Sequence, residues 1–548
     1  MSLFRVFLPR KRSPSLGTVN ALRVLWLIAI AWYELGTFYH HVHSCAWPDG
    51  FMNSYTSSVS KPAATHVLLV ADPQVLDHRS YPGRPPWLMT LSQLMVDLNM
   101  RKSWWATKQL RPDIVIFLGD MMDGGRFAMS DSEYEAYYQR FRSIFASDNL
   151  PAYYISGNHD VGLGTLPDFS DRADERYISH FGPLNQRLDI ANHTFILIDA
   201  PGLVEEDYQR SLEGWSYARW AASTKKGAIS FIQQSSALIE ELRKPTVLLT
   251  HIPLARYNTA ACGPHRERGT IREGTGYGYQ NTLSAQASQF LLKSIRPSIV
   301  FSGDDHDYCE YDHPLLPSDD VPFEERRSVR EVTVKSFSMA MGIRKPGFQL
   351  LSLASESLPP SVTRAKTLDD ALCILPDQLS IYLSVYAPLL ALSIAALLVS
   401  NAMRIRSSGN SLASTKISVA SRDDDGSVST SSAHKLSALS LPMRRLDDDK
   451  DDDAYDETAP YILPPPTPAV AVTGKNKRLH RTRLTMCGRT IDISALRHPL
   501  SYFGFSRAVD GASRRRRRGL LSGVVHDILR VAWMPIVSFM TIAWVMFR

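Results

Sequence analysis

Cysteine is scarce in this chain: five residues among 548. That is too few for a disulfide scaffold, and their spacing has no CxxC-type zinc pattern. A strong charge of one sign is also missing. The 61 Lys+Arg against 55 Asp+Glu leave +6, so composition does not argue for nucleic acid, and no such partner is expected. A disordered or collagen-like chain is excluded by 44% hydrophobic and 10% aromatic residues, which are enough apolar material for a sizeable core. No small-x-small cleavage site follows the first apolar run, which argues against a cleaved signal peptide. A single N-x-S/T sequon occurs, at Asn192-His193-Thr194.

What is present is a mosaic. The apolar run Val24–Tyr39 follows Arg5, Arg10, Lys11, Arg12 and Arg23, as a signal anchor does, and Trp32, Tyr33 and Tyr39 suit an interface belt. Glu34 is unfavourable in hydrocarbon and must sit near the boundary or face another helix. Leu379–Ser400 is uncharged and long enough to span; Val531–Phe547 is shorter, a span or an interfacial helix. Basic residues mark the cytoplasmic side. Arg404, Arg406 and the run Arg514–Arg518 therefore define a cytoplasmic N-terminus (1–23), a signal anchor (24–39), a lumenal domain (60–360), a transmembrane helix (379–400), a cytoplasmic loop (401–527) and a last transmembrane helix (531–547). The loop is Ser-rich over Ser407–Ser440, acidic over Asp447–Asp453 and carries Pro464-Pro465-Pro466. Such composition buries too little apolar surface to offset ordering entropy, so disorder is expected, with partners unspecified.

Residues 60–360 read differently. Apolar, β-branched runs each stop at a polar residue: His66–Ala71 at Asp72, Ile114–Leu118 at Gly119-Asp120, Tyr153–Ile155 before Gly157-Asn158, Phe195–Ile198 at Asp199, Thr246–Leu249 before His251, and Ile299–Phe301 before Gly303-Asp304. Runs of this kind predict buried strands. Met89–Lys102, Asp131–Ala146, Ile229–Arg243 and Ala287–Ile295 read as helices between them, and Glu331–Phe337 and Phe348–Leu353 as closing strands. The fold class expected is α/β, a layered α/β sandwich with a mixed sheet and flanking transmembrane helices.

In open α/β sheets, ligand sites gather at the carboxyl ends of strands. Asp72, Asp120, Asn158, His251, Asp304 and His306 all stand at such ends. Brought together without cations, the carboxylates would repel one another in a partly dry cleft, so two adjacent divalent ions bridged by one carboxylate are expected. Singly, each motif is an ordinary turn. The ordered set of five blocks at matching strand ends carries the inference.

Asp72-Pro73-Gln74, Gly119-Asp120, Gly157-Asn158-His159-Asp160, His251 and Gly303-Asp304-Asp305-His306 resemble the signature of calcineurin-like metallophosphoesterases. Tyr81-Pro82-Gly83-Arg84-Pro85, Asp123-Gly124-Gly125-Arg126, Asp304–Glu310 and Lys335–Leu353 further resemble the fungal cell-division-control branch. That branch belongs with lumenal enzymes that remove ethanolamine phosphate from GPI-anchor mannoses. The resemblance implies one metal on Asp72, Gln74, Asp120 and His306, and another on Asp120, Asn158, His251 and Asp304. Gln74 and Asp304 stand where the superfamily usually has His; oxygen for nitrogen favours Mn²⁺ over Zn²⁺. Two metals ~3.5–4 Å apart clamp a phosphate and lower the pKa of a shared water.

A sugar alkoxide leaves poorly without a proton, and His159, oriented by Asp160, is the candidate acid. Arg84, Arg126 and Arg256 are candidate phosphate or glycan contacts. The stretch Gly263–Gln280 is a candidate substrate loop. Cys262 and Cys309 form a candidate disulfide; Cys45 and Cys373 lie at membrane borders, and Cys487 is expected reduced. The resemblance thus implies an ER or Golgi membrane enzyme acting on a GPI glycan, the first mannose in particular. The alternatives are a lumenal phosphatase of another substrate and a metal-stabilised scaffold without catalysis.

Overall fold

The computed structural model describes residues 14–51, 64–146, 149–164, 166–314, 328–354, 367–419, 483–486, 489–492 and 519–548. Among these residues, eleven strands build two mixed sheets. The first contains β1 (Ala64–Val70), β2 (Ile114–Phe117), β3 (Ala152–Tyr154), β10 (Gly347–Ala354) and β11 (Leu368–Ile374). Its order is β11-β10-β1-β2-β3, with β1, β2 and β3 parallel and β10 antiparallel to both neighbours. The second contains β4 (Gln186–Ile190), β5 (His193–Ile198), β6 (Thr246–Thr250), β7 (Ile299–Ser302), β8 (Cys309–Pro314) and β9 (Ser328–Thr333), in the order β8-β9-β7-β6-β5-β4. Here β5, β6, β7 and β9 run parallel, and hairpin partners close both edges.

The sheets pack face to face, and helices cover both outer faces. Along β1, Val67 and Leu69 enter the core between the sheets with Phe195, Leu197, Leu249 and Phe301. Leu68 and Val70 alternate outward, under α1 (Pro86–Thr107), α2 (Asp131–Ile144) and α4 (Ala173–Phe181). On the other side Ile196, Leu248 and Val300 pack under α5 (Ala200–Leu212), α6 (Ala228–Leu242) and α7 (Ala285–Ile295). Burial on both faces explains why these strands read as unbroken apolar runs. The layered α/β sandwich expected is thus present, with its mixed strands divided between two sheets, a division that a run apolar on both faces does not reveal. The helices begin where caps allow. Pro86 occupies the first turn of α1, and Ser130 and Ser284 accept from the backbone N–H groups of Glu133 and Ala287.

Among the described residues, three helices are long and apolar enough to cross a membrane: Leu16–His43, Gln378–Ser407 and Leu520–Met546. Each is longer than the runs 24–39, 379–400 and 531–547, because polar residues beyond the apolar core find partners. Asn401 donates to Asp527 at 3.0 Å, and Arg23 to the Arg530 carbonyl at 2.8 Å. The folded domain likewise outruns 60–360, since β11 continues to Ile374 and Cys373 is joined to Cys45 by a disulfide. Within the expected loop 401–527, the helix Ala387–Val419 continues past residue 401, and Leu520–Asp527 is helical. Residues Ser411–Arg518 form a separate unit, in which Arg483–Met486 pairs antiparallel with Arg489–Asp492. The rest of that loop, including Cys487, Asp447–Asp453 and Arg514–Arg518, and the leader Arg5–Arg12 lie outside the described residues.

Glu34 is fully buried in a π-helical turn, Trp32–Gly36, of the first span. It accepts from Lys102 Nζ of α1 at 2.5 Å and from the Tyr386 hydroxyl of the second span at 2.8 Å, while Lys102 also donates to Gln378. A buried charge left without its partner costs about 3–5 kcal/mol, so this contact fixes the domain on the helices.

Candidate metal centre

The carboxyl ends of β1, β2 and β3 meet those of β6 and β7, and each delivers one or two polar side chains. Asp72 and Gln74 follow β1, Asp120 follows β2, Asn158 opens the short helix α3 (Asn158–Val161) after β3, His251 follows β6, and Asp304 and His306 follow β7. Five of these have left-handed backbones: Asp72 (φ 46°), Gln74 (35°), Asp120 (56°), Asp304 (64°) and His306 (67°). Each such non-glycine residue costs about 1–3 kcal/mol, and clustered outliers of this kind mark functional sites. Close approach demands glycine nearby. A Cβ on Gly157 would stand 2.1 Å from Asp120 Oδ1, and one on Gly119 2.2 Å from His251 Nδ1.

The ligand atoms fall into two groups, Asp72, Asp120 and His306, and Asp120, His251 and Asp304. Within each they lie within 4.8 Å of one another, and Asp120 belongs to both. His251 Nδ1 donates to the Leu118 carbonyl at 2.7 Å, which turns Nε2 toward Asn158 Oδ1 (3.2 Å), Asp120 Oδ1 (3.4 Å) and Asp304 Oδ1 (3.5 Å). Asn158 is oriented in the same way, its amide nitrogen held by the Gly278 carbonyl at 2.9 Å. Gln74 stands beside the shared carboxylate, its amide nitrogen donating to Asp120 Oδ2 at 2.7 Å.

The electrostatics fit cations. Asp72 is completely buried and its Oδ2 has no hydrogen-bond partner. Burial and then the Asp120 and Asp304 charges, opposed by His251, push its carboxyl well above the usual range. Burial pulls the His251 ring down, yet Asp120, Asp304 and Asp72 outweigh it and hold the ring well above its ordinary value. A proton there does what a cation would do, and metal binding displaces it. When bound, a pair of divalent ions clamps a phosphate and supplies a water of lowered pKa.

His159 lies beside this cluster, its backbone N–H donating to Asp120 Oδ1 at 2.9 Å. Its ring is held by Asp123: Nδ1 is 2.7 Å from the Asp123 carbonyl and 3.2 Å from its Oδ1. Asp160 does not orient it. That carboxylate is buried and accepts from the backbone N–H groups of Gly157, Met122 and Met121, tying the β2 and β3 loops together. The adjacent position in Gly-Asn-His-Asp suggested the wrong partner, because the helical turn at 158–161 sends neighbouring side chains apart. Asp123, three residues after Asp120, was the signal missed.

The three arginines also separate. Arg126 is at the site, 9% exposed, donating to the carbonyls of Asn158 (3.2 Å) and Gly278 (3.1 Å). Gly278 places the stretch 263–280 against the centre. Arg84 is exposed, 3.9 Å above the Tyr81 ring and bonded to Ser92. Arg256 is not a substrate contact: its Nη2 is buried 2.6 Å from Glu331 Oε2. Burial would raise the Glu331 carboxyl, but Arg256 and His313 hold it down at about 2. Cys262 and Cys309 are joined by a disulfide. Asn192 is half-buried in the two-residue turn between β4 and β5.

Residues 66–308 match the calcineurin-like phosphoesterase family. Cell division control protein 1 of Saccharomyces cerevisiae is 33% identical over 371 residues, covering 66% of this chain and 70% of the relative. The chain belongs to the calcineurin-like metallophosphoesterases. Metallophosphoesterase 1 of Mus musculus is 26% identical over 347 residues, 61% of this chain and 80% of its own length. The Caenorhabditis elegans homologue is 25% identical over 296 residues, 52% and 70%. This metallophosphoesterase is therefore a metal-dependent phosphoric ester hydrolase, and the two ligand groups belong to the domain that defines the family.

Proposed function

We propose that this metallophosphoesterase removes ethanolamine phosphate from a GPI-anchor mannose, the first in particular, at an ER or Golgi membrane with its catalytic domain in the lumen. The reading is carried by one observation: the two ligand groups sharing Asp120 belong to a domain locked by Lys102–Glu34 to helices long and apolar enough to cross a membrane. A substrate that is itself a lipid suits an enzyme fixed at its surface. In this reading Arg126, beside the centre, contacts the phosphate, and Asn192 carries a glycan. A cavity of about 670 Å³ lined by Arg266, Arg268, Arg344 and Lys345 offers cationic groups to a further phosphate of the same glycolipid. Mass analysis of GPI glycans tests the substrate. Cells lacking the protein, or carrying Asp120→Ala, should retain ethanolamine phosphate on the first mannose, and wild type should remove it. Identical glycans in all three lines would leave a phosphoesterase of another lumenal substrate.

The donor set, richer in carboxylate and amide oxygen than in imidazole, supports Mn²⁺ as the resident ion. Protein emptied by chelation should regain activity with Mn²⁺ and little with Zn²⁺. Full recovery with Zn²⁺ alone would overturn that assignment.

A further inference from the structure

We propose that the N-terminal half of α1 lies in the membrane interface, its exposed apolar stripe seated in the lipid of the leaflet facing the catalytic domain. Trp87, Leu91, Leu94, Leu98, Arg101 and Trp105 recur at alternating intervals of four and three, so they share one face of the helix. The C-terminal half of that face meets the membrane helices. Leu98 is buried, Arg101 donates to the Met546 carbonyl at 3.3 Å and lies 4.6 Å from the Phe547 ring centre, and the Trp105 ring, 36% exposed, is tilted against Tyr39 with centres 6.4 Å apart. One turn of sequence further back the same face is bare, with Trp87 69%, Leu91 44% and Leu94 48% exposed. Pro86–Val96 contain no charged residue. The stripe is thus the direct continuation of the contact with all three spans, at the level where Lys102 meets Glu34 and Gln378.

Water is a poor occupant for a stripe of this kind, and the surface continuous with the ends of membrane-crossing helices is the bilayer itself. A face that is apolar and uncharged from Trp87 to Leu98 and opens on a tryptophan is the pattern of a helix lying in the headgroup region. The geometry has a consequence for access. The loop 75–85 runs from Gln74 to the start of α1, and its first carbonyl, that of Val75, accepts from the Asp123 backbone N–H at 3.2 Å. Seating α1 in lipid therefore sets the His159 side of the metal centre beside the leaflet, so a lipid-borne phosphodiester is reached sideways from the membrane and not from bulk water.

The test uses the full chain in lipid nanodiscs, with Cys487→Ser leaving the other four cysteines in their two disulfides. Nitroxide labels are placed at Leu91→Cys, at Leu94→Cys and, as an aqueous reference, at Leu212→Cys, which is 69% exposed on α5. Collision with oxygen should exceed collision with a water-soluble nickel chelate at 91 and 94, reporting a depth of about 5–10 Å, and the order should reverse at 212. Chelate accessibility at 91 and 94 equal to that at 212 would place the stripe in water and overturn the proposal. Protection from both reagents would mean that protein covers the stripe, and would overturn it equally. Two labelled positions guard against one substitution disturbing the fold, with retention of both disulfides as the check. The measurement needs no substrate, so its failure is separable from failure of the GPI reading.

Discussion

Asp120→Asn should lower kcat by about 10³-fold or more while leaving the folded domain intact. Loss of one preorganised electrostatic group in an active site already costs about 10²–10³ in rate, and this carboxylate belongs to both ligand groups. The isosteric amide keeps its oxygen as acceptor for the His159 N–H, which donates to Oδ1 at 2.9 Å, and its NH2 replaces Oδ2, to which Gln74 Nε2 donates at 2.7 Å, so the Gln74 amide must turn its oxygen inward. What it removes is the shared negative charge. Wild type emptied of metal should gain about 2.7 kcal/mol of stability when the ion is restored at a hundredfold excess over Kd; the variant should gain little. The sign of the apo difference is informative as well. Asp120 pushes Asp72 upward, but against burial His251 and His159 hold the Asp120 carboxyl itself below its ordinary value, so neutralising it removes more attraction than repulsion and the empty variant should be the less stable. A variant that kept both the metal-linked stabilisation and the rate would show that Asp120 does not bridge.

The strand ends were readable because each ends an apolar run: His66–Ala71 announces Asp72, and Thr246–Leu249 announces His251. The helices Met89–Lys102 and Asp131–Ala146 were readable for a related reason, since α1 and α2 each cover one face of a sheet. Ala200–Leu212 was not, because Ala-Pro-Gly opens it and only the Asp199 cap, which accepts from Gly202 N–H, marks its start. The ligand side chains were legible as types at positions. Their orientation was not, since it is set across the chain: Leu118 fixes His251, Gly278 fixes Asn158, and Glu331 withdraws Arg256. Cys45–Cys373 was within reach of sequence reasoning, as both cysteines stand beyond membrane runs on the same expected side. Lys102 was not, for nothing local in α1 distinguishes a lysine destined to be buried against Glu34.

His159→Ala should reduce kcat by about 10²–10⁴-fold, the range expected for losing a general acid, with metal content unchanged. Asp123→Asn should give a smaller loss with a different signature. The His159 Nδ1 hydrogen faces the Asp123 carbonyl, so Nε2 is the nitrogen left to hand a proton to the leaving oxygen. Burial pulls the ring down, but Asp120 and the hydrogen bond to Asp123, opposed by Arg126, hold it up at about 9. Bound cations take up much of the Asp120 charge, and the pull that remains is that of Asp123. Since the acid form is the active one, activity should fall as pH rises through the ring's titration. Removing the Asp123 charge lowers that value, so the alkaline limb of kcat in Asp123→Asn should move to lower pH. At acidic pH, where the ring stays protonated in both proteins, the rates should converge. A pH-independent loss in Asp123→Asn would make the carboxylate a support for the loop alone. Loss of metal together with rate in His159→Ala would place the imidazole in the structure of the centre and not in proton transfer.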